Sequence, residues 1–262
     1  MPLSLRAYFV ASLALLGAVI MTYIPALPQD PHYHQFADQR TIFACENFFN
    51  VISNLPFLLI GIFGLWRSYT FSVQHARPAY LMLALGVCFT ALGSGYYHAA
   101  PSNASLVWDR LPMTISFMSL LMLLLQERLQ VRGFFLWPCL ALGMLSVAYW
   151  YTTEMAGHGD LRPYLLVQFL PVLLTPVILL LFPQQYLRDR YLWAALALYV
   201  VAKLCEHYDL ALLETLQIVS GHSIKHGLAA LAVWCIVLAP TSKPRLAKPQ
   251  RPAPRLAWRF AR

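Results

Sequence analysis

The sequence predicts an all-α fold, a polytopic membrane helix bundle. Of its 262 residues, 59% are hydrophobic and 11% are charged, against about 25% charged in soluble domains. Most of the surface must therefore face something other than water. Apolar runs of roughly 17–25 residues recur along the chain, the length that a helical span of a bilayer needs. Eight spans are expected, at about 5–24, 48–67, 78–99, 108–126, 134–152, 163–182, 190–206 and 218–239.

The first run follows Arg6 and so resembles a signal peptide. Ala7 to Ile24 is long for a signal h-region, however, and no small-x-small cleavage site follows it, so a retained helix is expected. The orientation of the remaining spans comes from Lys and Arg in the short connections. Arg6, Arg67, Arg77, Arg128, Arg132, Arg188, Arg190 and the tail place fourteen basic residues on one side, leaving Arg40, Arg110, Arg162, Lys203 and Lys225 on the other. Nine of the eleven acidic residues, all but Glu127 and Asp189, fall toward that second side. This asymmetry predicts cytoplasmic termini and an even number of spans.

The net charge of +8 does not point to nucleic acid. Seven of the nineteen basic residues lie in the last twenty, interleaved with Pro244, Pro249, Pro252 and Pro254. That composition predicts a disordered basic tail with anionic lipid headgroups as its partner. Five single cysteines, Cys45, Cys88, Cys139, Cys205 and Cys235, show no paired spacing; they read as small apolar side chains rather than as a disulfide or thiolate framework.

With this topology, His98 ends the third span at the non-cytoplasmic face, Asp109 opens the fourth there, and His222 and His226 begin the last from the same side. Ionisable residues at membrane depth are functional candidates by default. Ser94 and His98 are four apart and share a helix face, as do His222 and His226. Three imidazoles in one layer predict an open catalytic zinc site with a position left for water. Bound zinc lowers the pKa of water to about 7. Asp109 would take the proton of that water as general base, and Ser94 would donate to the oxyanion. Ser94 as a covalent nucleophile is the weaker version, because no histidine remains to activate it. The bland alternative makes Asp109 an N-terminal cap, with Pro112 in the first turn.

Other polar residues receive smaller roles. Glu46, Asn47, Asn50, Ser53 and Asn54 form a polar seam on the second span, serving either interhelical hydrogen bonds or support for the zinc ligands. Lys203 and Glu206 read as a local ion pair. Glu206, Asp209 or Asp38 is a candidate for orienting an imidazole. Lys225, lying between the two histidines in sequence, is expected to point elsewhere.

Ser94 and His98, Asp109 followed by Leu111 to Met113, His222 and His226, and the run Asn50, Ser53, Asn54 together resemble the alkaline ceramidase family. That family belongs to a wider group of seven-helix membrane hydrolases that includes adiponectin-receptor-like proteins. The resemblance covers about 46–240. It implies a seven-helix hydrolase core plus one extra N-terminal transmembrane helix, dividing the chain into 1–45, 46–240 and a tail at 241–262. It also implies zinc held by His98, His222 and His226, assisted by Ser94 and Asp109, and hydrolysis of the amide in ceramide-like N-acyl lipids. Some family members carry a calcium site before the first core helix. Asp30, Asp38 and Glu46 are the acidic residues available here, and their spacing leaves calcium open. The competing reading is a lipid-sensing, receptor-like membrane protein with a mainly structural zinc. A transporter is disfavoured, since no internal repeat with paired interrupted helices is present.

Overall fold

A computed structural model describes residues 3–241. The basic tail and its expected lipid partner lie outside them. The described residues form α1 (Leu3–Tyr23), α2 (Phe48–Ile52), α3 (Leu55–Ser68), α4 (Arg77–Ala99), α5 (Asn103–Leu129), α6 (Leu136–Met155), α7 (Arg162–Leu181), α8 (Asp189–His207), α9 (Asp209–Leu216) and α10 (Gly221–Leu238). There is no named strand among them, so the expected all-α bundle is what forms.

Seven helical segments are long and apolar enough to cross a membrane: α1, the α2–α3 pair, α4, α5, α6 with its preceding turn, α7 and α10. The protein is a multi-pass membrane protein. α8 has 19 residues, about 28 Å at 1.5 Å per residue, and packs along α10. It falls short of the others in apolar character because Asp189, Arg190, Lys203 and Glu206 lie near its ends. Polarity runs opposite to that of a soluble protein. Leu59, Trp66, Phe89, Leu145, Leu173 and Leu180 are exposed, while Asn50, Ser94, His98, Asp109, Glu127 and Arg128 are buried. Lipid can cover the first set, and the second must find partners inside.

Proline and glycine set the helix positions that matter for the site. Pro56 has no N–H to give the Ile52 carbonyl, so the second span breaks there into α2 and α3. Ser53 and Asn54 sit at the break and bond back to the Asn50 carbonyl at 3.0 and 2.8 Å. On α4, a Cβ at Gly93 would collide with the Trp108 carbonyl of α5. The two helices thus touch beside Ser94 and Asp109. A Cβ at Gly221 would collide with the Cys205 carbonyl of α8, next to His222. Small residues allow such approaches between membrane helices.

The start of α5 corrects an expectation. Ser102 is the N-cap, in a capping box with Ser105, and the helix runs from Asn103. Asp109 is therefore not a cap: it lies nearly two turns inside the helix, and Pro112 is interior. The Ser102–Ser105 reciprocal bonds begin the helix earlier than the hydropathy pattern indicated. Between α8 and α10 the chain forms the short helix α9.

The stretch between α1 and α2 lies across the end of the bundle that carries the histidines. His34 bonds the Tyr97 hydroxyl and Asn103 Oδ1, both at 3.0 Å. Gln29 accepts from Arg110 at 2.6 Å and donates its backbone N–H to Glu154 at 2.9 Å. Asp38 pairs with Arg40, whose guanidinium also reaches the Ile218 carbonyl at 2.6 Å. The Arg40 guanidinium holds the Asp38 carboxyl below its ordinary range, and Arg162 does the same for Asp160, at about 2. At the opposite end of the bundle, Glu127 accepts the amides of Gln185, Tyr186 and Leu187 at 2.7, 3.0 and 3.1 Å and pairs with Arg128.

Gly93→Ala tests the α4–α5 contact. The added methyl should force the helices apart, costing about 1–3 kcal/mol and lowering the thermal unfolding temperature of purified protein in detergent. An unchanged unfolding temperature would show that the close approach is not required.

Candidate metal and catalytic site

His98 comes from the last turn of α4, and His222 and His226 from the first turns of α10. They are 1%, 8% and 4% exposed, so none can satisfy its ring nitrogens with bulk water. One ligand nitrogen from each lies within 4.8 Å of the others. His98 Nε2 and His222 Nε2 face each other at 3.3 Å, and the ring centroids are 4.7 to 5.0 Å apart. It is the one group of three or more His, Cys, Asp or Glu residues among the described residues with spacing suited to a metal ion.

The surroundings fix how these rings can act. The Ser53 hydroxyl donates to the Asn50 carbonyl at 3.0 Å and lies 2.7 Å from His226 Nδ1. Its single proton being committed, Ser53 accepts from Nδ1–H, which leaves His226 Nε2 unprotonated toward the other rings. Asn47 donates to the His98 carbonyl at 2.9 Å, and Ser223 donates to Asn50 Oδ1 at 3.0 Å. The polar seam of α2 therefore makes interhelical hydrogen bonds, and through Ser53 it also reaches one histidine ring. Glu46 is exposed and takes no part.

None of the three acidic candidates orients an imidazole ring. Asp209 instead accepts the backbone N–H of His222 at 2.6 Å and that of Ala37 at 3.3 Å, tying the start of α10 to the stretch between α1 and α2. Asp38 serves Arg40, and Glu206 serves lysines. Asp30, Asp38 and Glu46 do not gather as a cation site.

Ser94 and Asp109 are 3% and 8% exposed. Both line a cavity of about 450 Å³, together with His226, Lys225 and Glu206. Its lining follows α10 from His226 to Ile236 and α4 from Ser94 to Leu83. At 1.5 Å per residue it is about 15 Å deep, half the roughly 30 Å thickness of a bilayer core. Beyond the polar end, Val87, Met113, Phe117, Phe169 and Val233 form apolar walls.

Lys225 corrects the sequence reading. Its Nζ lies 3.3 Å from His222 Nε2 and 2.9 Å from Glu206 Oε1. A residue three positions after His222 is turned only about 60° from it, and a four-carbon stem spans that offset with Glu206 as an acceptor. The expected Lys203–Glu206 pair is present as well.

Two contributors carried no signal of their own in the sequence. Phe36, from the loop, packs on His98 and His222 at 4.6 and 5.4 Å between centroids. Arg110, next to Asp109, stacks over Trp150 and Tyr164 at 4.1 and 4.7 Å. Its position beside Asp109 at the end of a span is the only hint the sequence gave.

The site can thus offer three converging neutral nitrogens, a carboxyl–hydroxyl pair and an ammonium at the mouth of an apolar, leaflet-deep cavity. Comparison with individually curated proteins yields no match. The family model described as Ceramidase matches residues 39–241, which takes in α2 to α10 with the three histidines, Ser94, Asp109, Glu206 and Lys225, while Phe36 lies just before it. The chain belongs to the ceramidase family.

Proposed function

We propose that the protein is a zinc-dependent intramembrane hydrolase of the alkaline ceramidase type. It would cleave the amide of ceramide-like N-acyl lipids to a sphingoid base and a fatty acid. The observation that carries this reading is the buried histidine trio opening, through His226, onto the cavity that Ser94 and Asp109 also line. Family membership supports amide hydrolysis of ceramide.

The donor set fits zinc. It is three imidazole nitrogens with no carboxylate among them, one of them (His226 Nε2) left unprotonated by the bond from Nδ1 to Ser53, which suits zinc better than the harder cations that prefer oxygen. His98, His222 and His226 would hold the ion. When bound, it supplies a Lewis acid that makes water a nucleophile near neutral pH and polarises a carbonyl.

The protein's own groups do the rest. The acyl chain occupies the apolar depth of the cavity, bringing the amide to Ser94 and Asp109. As the water oxygen bonds to the carbonyl carbon, its proton passes to Asp109. Asp109 then delivers a proton to the amide nitrogen, and the C–N bond breaks to give the fatty acid and the free amine. Ser94 donates to Asp109 while that carboxylate is ionised. Once Asp109 holds the proton, the direction of their bond reverses and the Ser94 hydroxyl is free to turn toward the oxyanion.

In the membrane we place both termini in the cytoplasm and the site toward the non-cytoplasmic face, on the strength of the basic-residue asymmetry. α8 then counts as the eighth span. Residues 1–45 supply an added helix and outer loop, 46–240 the hydrolase core, and 241–262 a tail for anionic headgroups.

Two substitutions separate metal binding from proton transfer. Asp109→Asn should retain about one zinc per chain while turnover of an N-acyl sphingoid lipid, followed by mass spectrometry, falls by about 10²–10⁴. Retained turnover would remove Asp109 from the chemistry. Ser53→Ala, which frees His226 Nδ1, should weaken zinc affinity by about 10–100-fold in a competition titration. Unaltered affinity would show that the Ser53 bond does not set the ring.

A further inference from the structure

Lys225 and Glu206 are not explained by the roles above. Lys225 lines the cavity with Ser94, Asp109 and His226, and its side chain is 18% exposed. An ammonium has three protons. One goes to Glu206 Oε1 at 2.9 Å; His222 Nε2, 3.3 Å away, is a nitrogen that a bound metal would take, which leaves the other two protons without a protein acceptor. Glu206 is shared between Lys203 and Lys225, and Asp109 lines the same cavity. An ammonium proton with no acceptor in an apolar cavity is unfavourable unless an anion arrives to accept it.

The reaction supplies such an anion. Hydrolysis of an amide places negative charge first on the carbonyl oxygen and then on the carboxylate of the released acid. Ser94 has a single proton to offer, and Lys225 is the charged donor that lines the same cavity. Building on the hydrolase reading, we propose that Lys225, steadied by Glu206, binds the oxygen of the scissile acyl group. Its ammonium faces the oxyanion during attack and the fatty-acid carboxylate after C–N cleavage.

The test uses full-length protein in detergent with Lys225→Met, and with Lys225→Gln as a second variant that keeps a donor to Glu206 without the charge. Zinc content should stay at the wild-type level, and kcat should fall on the order of 10²-fold, the usual consequence of losing one oxyanion donor, with KM changed little. Lys225→Arg should recover part of the kcat. In direct binding, a long-chain fatty acid should bind Lys225→Met at least about tenfold more weakly, by the loss of one charged hydrogen bond, while the fatty alcohol of equal length binds both proteins alike. Unchanged kcat, equal loss of acid and alcohol binding, or loss of zinc would each overturn the proposal; the last would make Lys225 a support for His222. If wild-type protein cleaves no N-acyl lipid, the hydrolase reading fails, and the acid-against-alcohol comparison still decides whether Lys225 forms a carboxylate site.

Discussion

Two imidazole nitrogens facing each other at 3.3 Å inside a membrane protein impose the constraint on which the rest of this structure turns. They belong to residues 98 and 222, on helices drawn from opposite halves of the chain. For them to meet, α4 must end and α10 must begin in one layer. Gly93 lets α4 close on α5 beside the site, and Gly221 lets α10 close on α8. The break imposed by Pro56 delivers Ser53 to the third ring. The N-terminal loop then lays Phe36 over the imidazoles. Losing the Ser53 contact would leave the buried His226 Nδ1 without a partner, at a penalty of about 1–3 kcal/mol.

The same constraint accounts for how polarity is distributed. A bilayer offers no water to a misplaced polar group, so each buried one needs an internal partner. The polar layer at the histidine end is a connected network running from Asp38 through Asn50 to Ser223 and Ser53. The opposite end is closed by Glu127 and Arg128 gripping the chain between α7 and α8. Between the two layers the cavity is apolar, which suits an acyl chain entering from one leaflet and stopping at the reactive groups.

Much of this was legible in the sequence, for physical reasons that also mark where reading stopped. Spacing of four residues on a helix put Ser94 with His98 and His222 with His226, and the alternation of spans put both pairs at one face. The seam on α2 showed as polar residues in an apolar run. Asp109 was placed in the right layer and in the wrong turn, because hydropathy starts a span later than a capping box does. Lys225 was assigned outward from its helical angle alone. Its long stem and the acceptor on α8 reverse that, and a tertiary partner nineteen residues distant leaves no local pattern. Phe36 lies in a loop without periodicity, so only the folded structure places it on the imidazoles. Calcium, left open by the acidic residues before α2, finds no gathered carboxylates, since Asp38 is already paired with Arg40.

X-ray absorption at the zinc edge of the purified, metal-replete protein is the most direct measurement of the central claim. The account predicts three imidazole nitrogens and one oxygen scatterer at about 2.0–2.1 Å, with the imidazole signature reduced by one ring in His226→Ala. A spectrum dominated by sulfur or by carboxylate oxygen, or one unchanged by loss of His226, would contradict it.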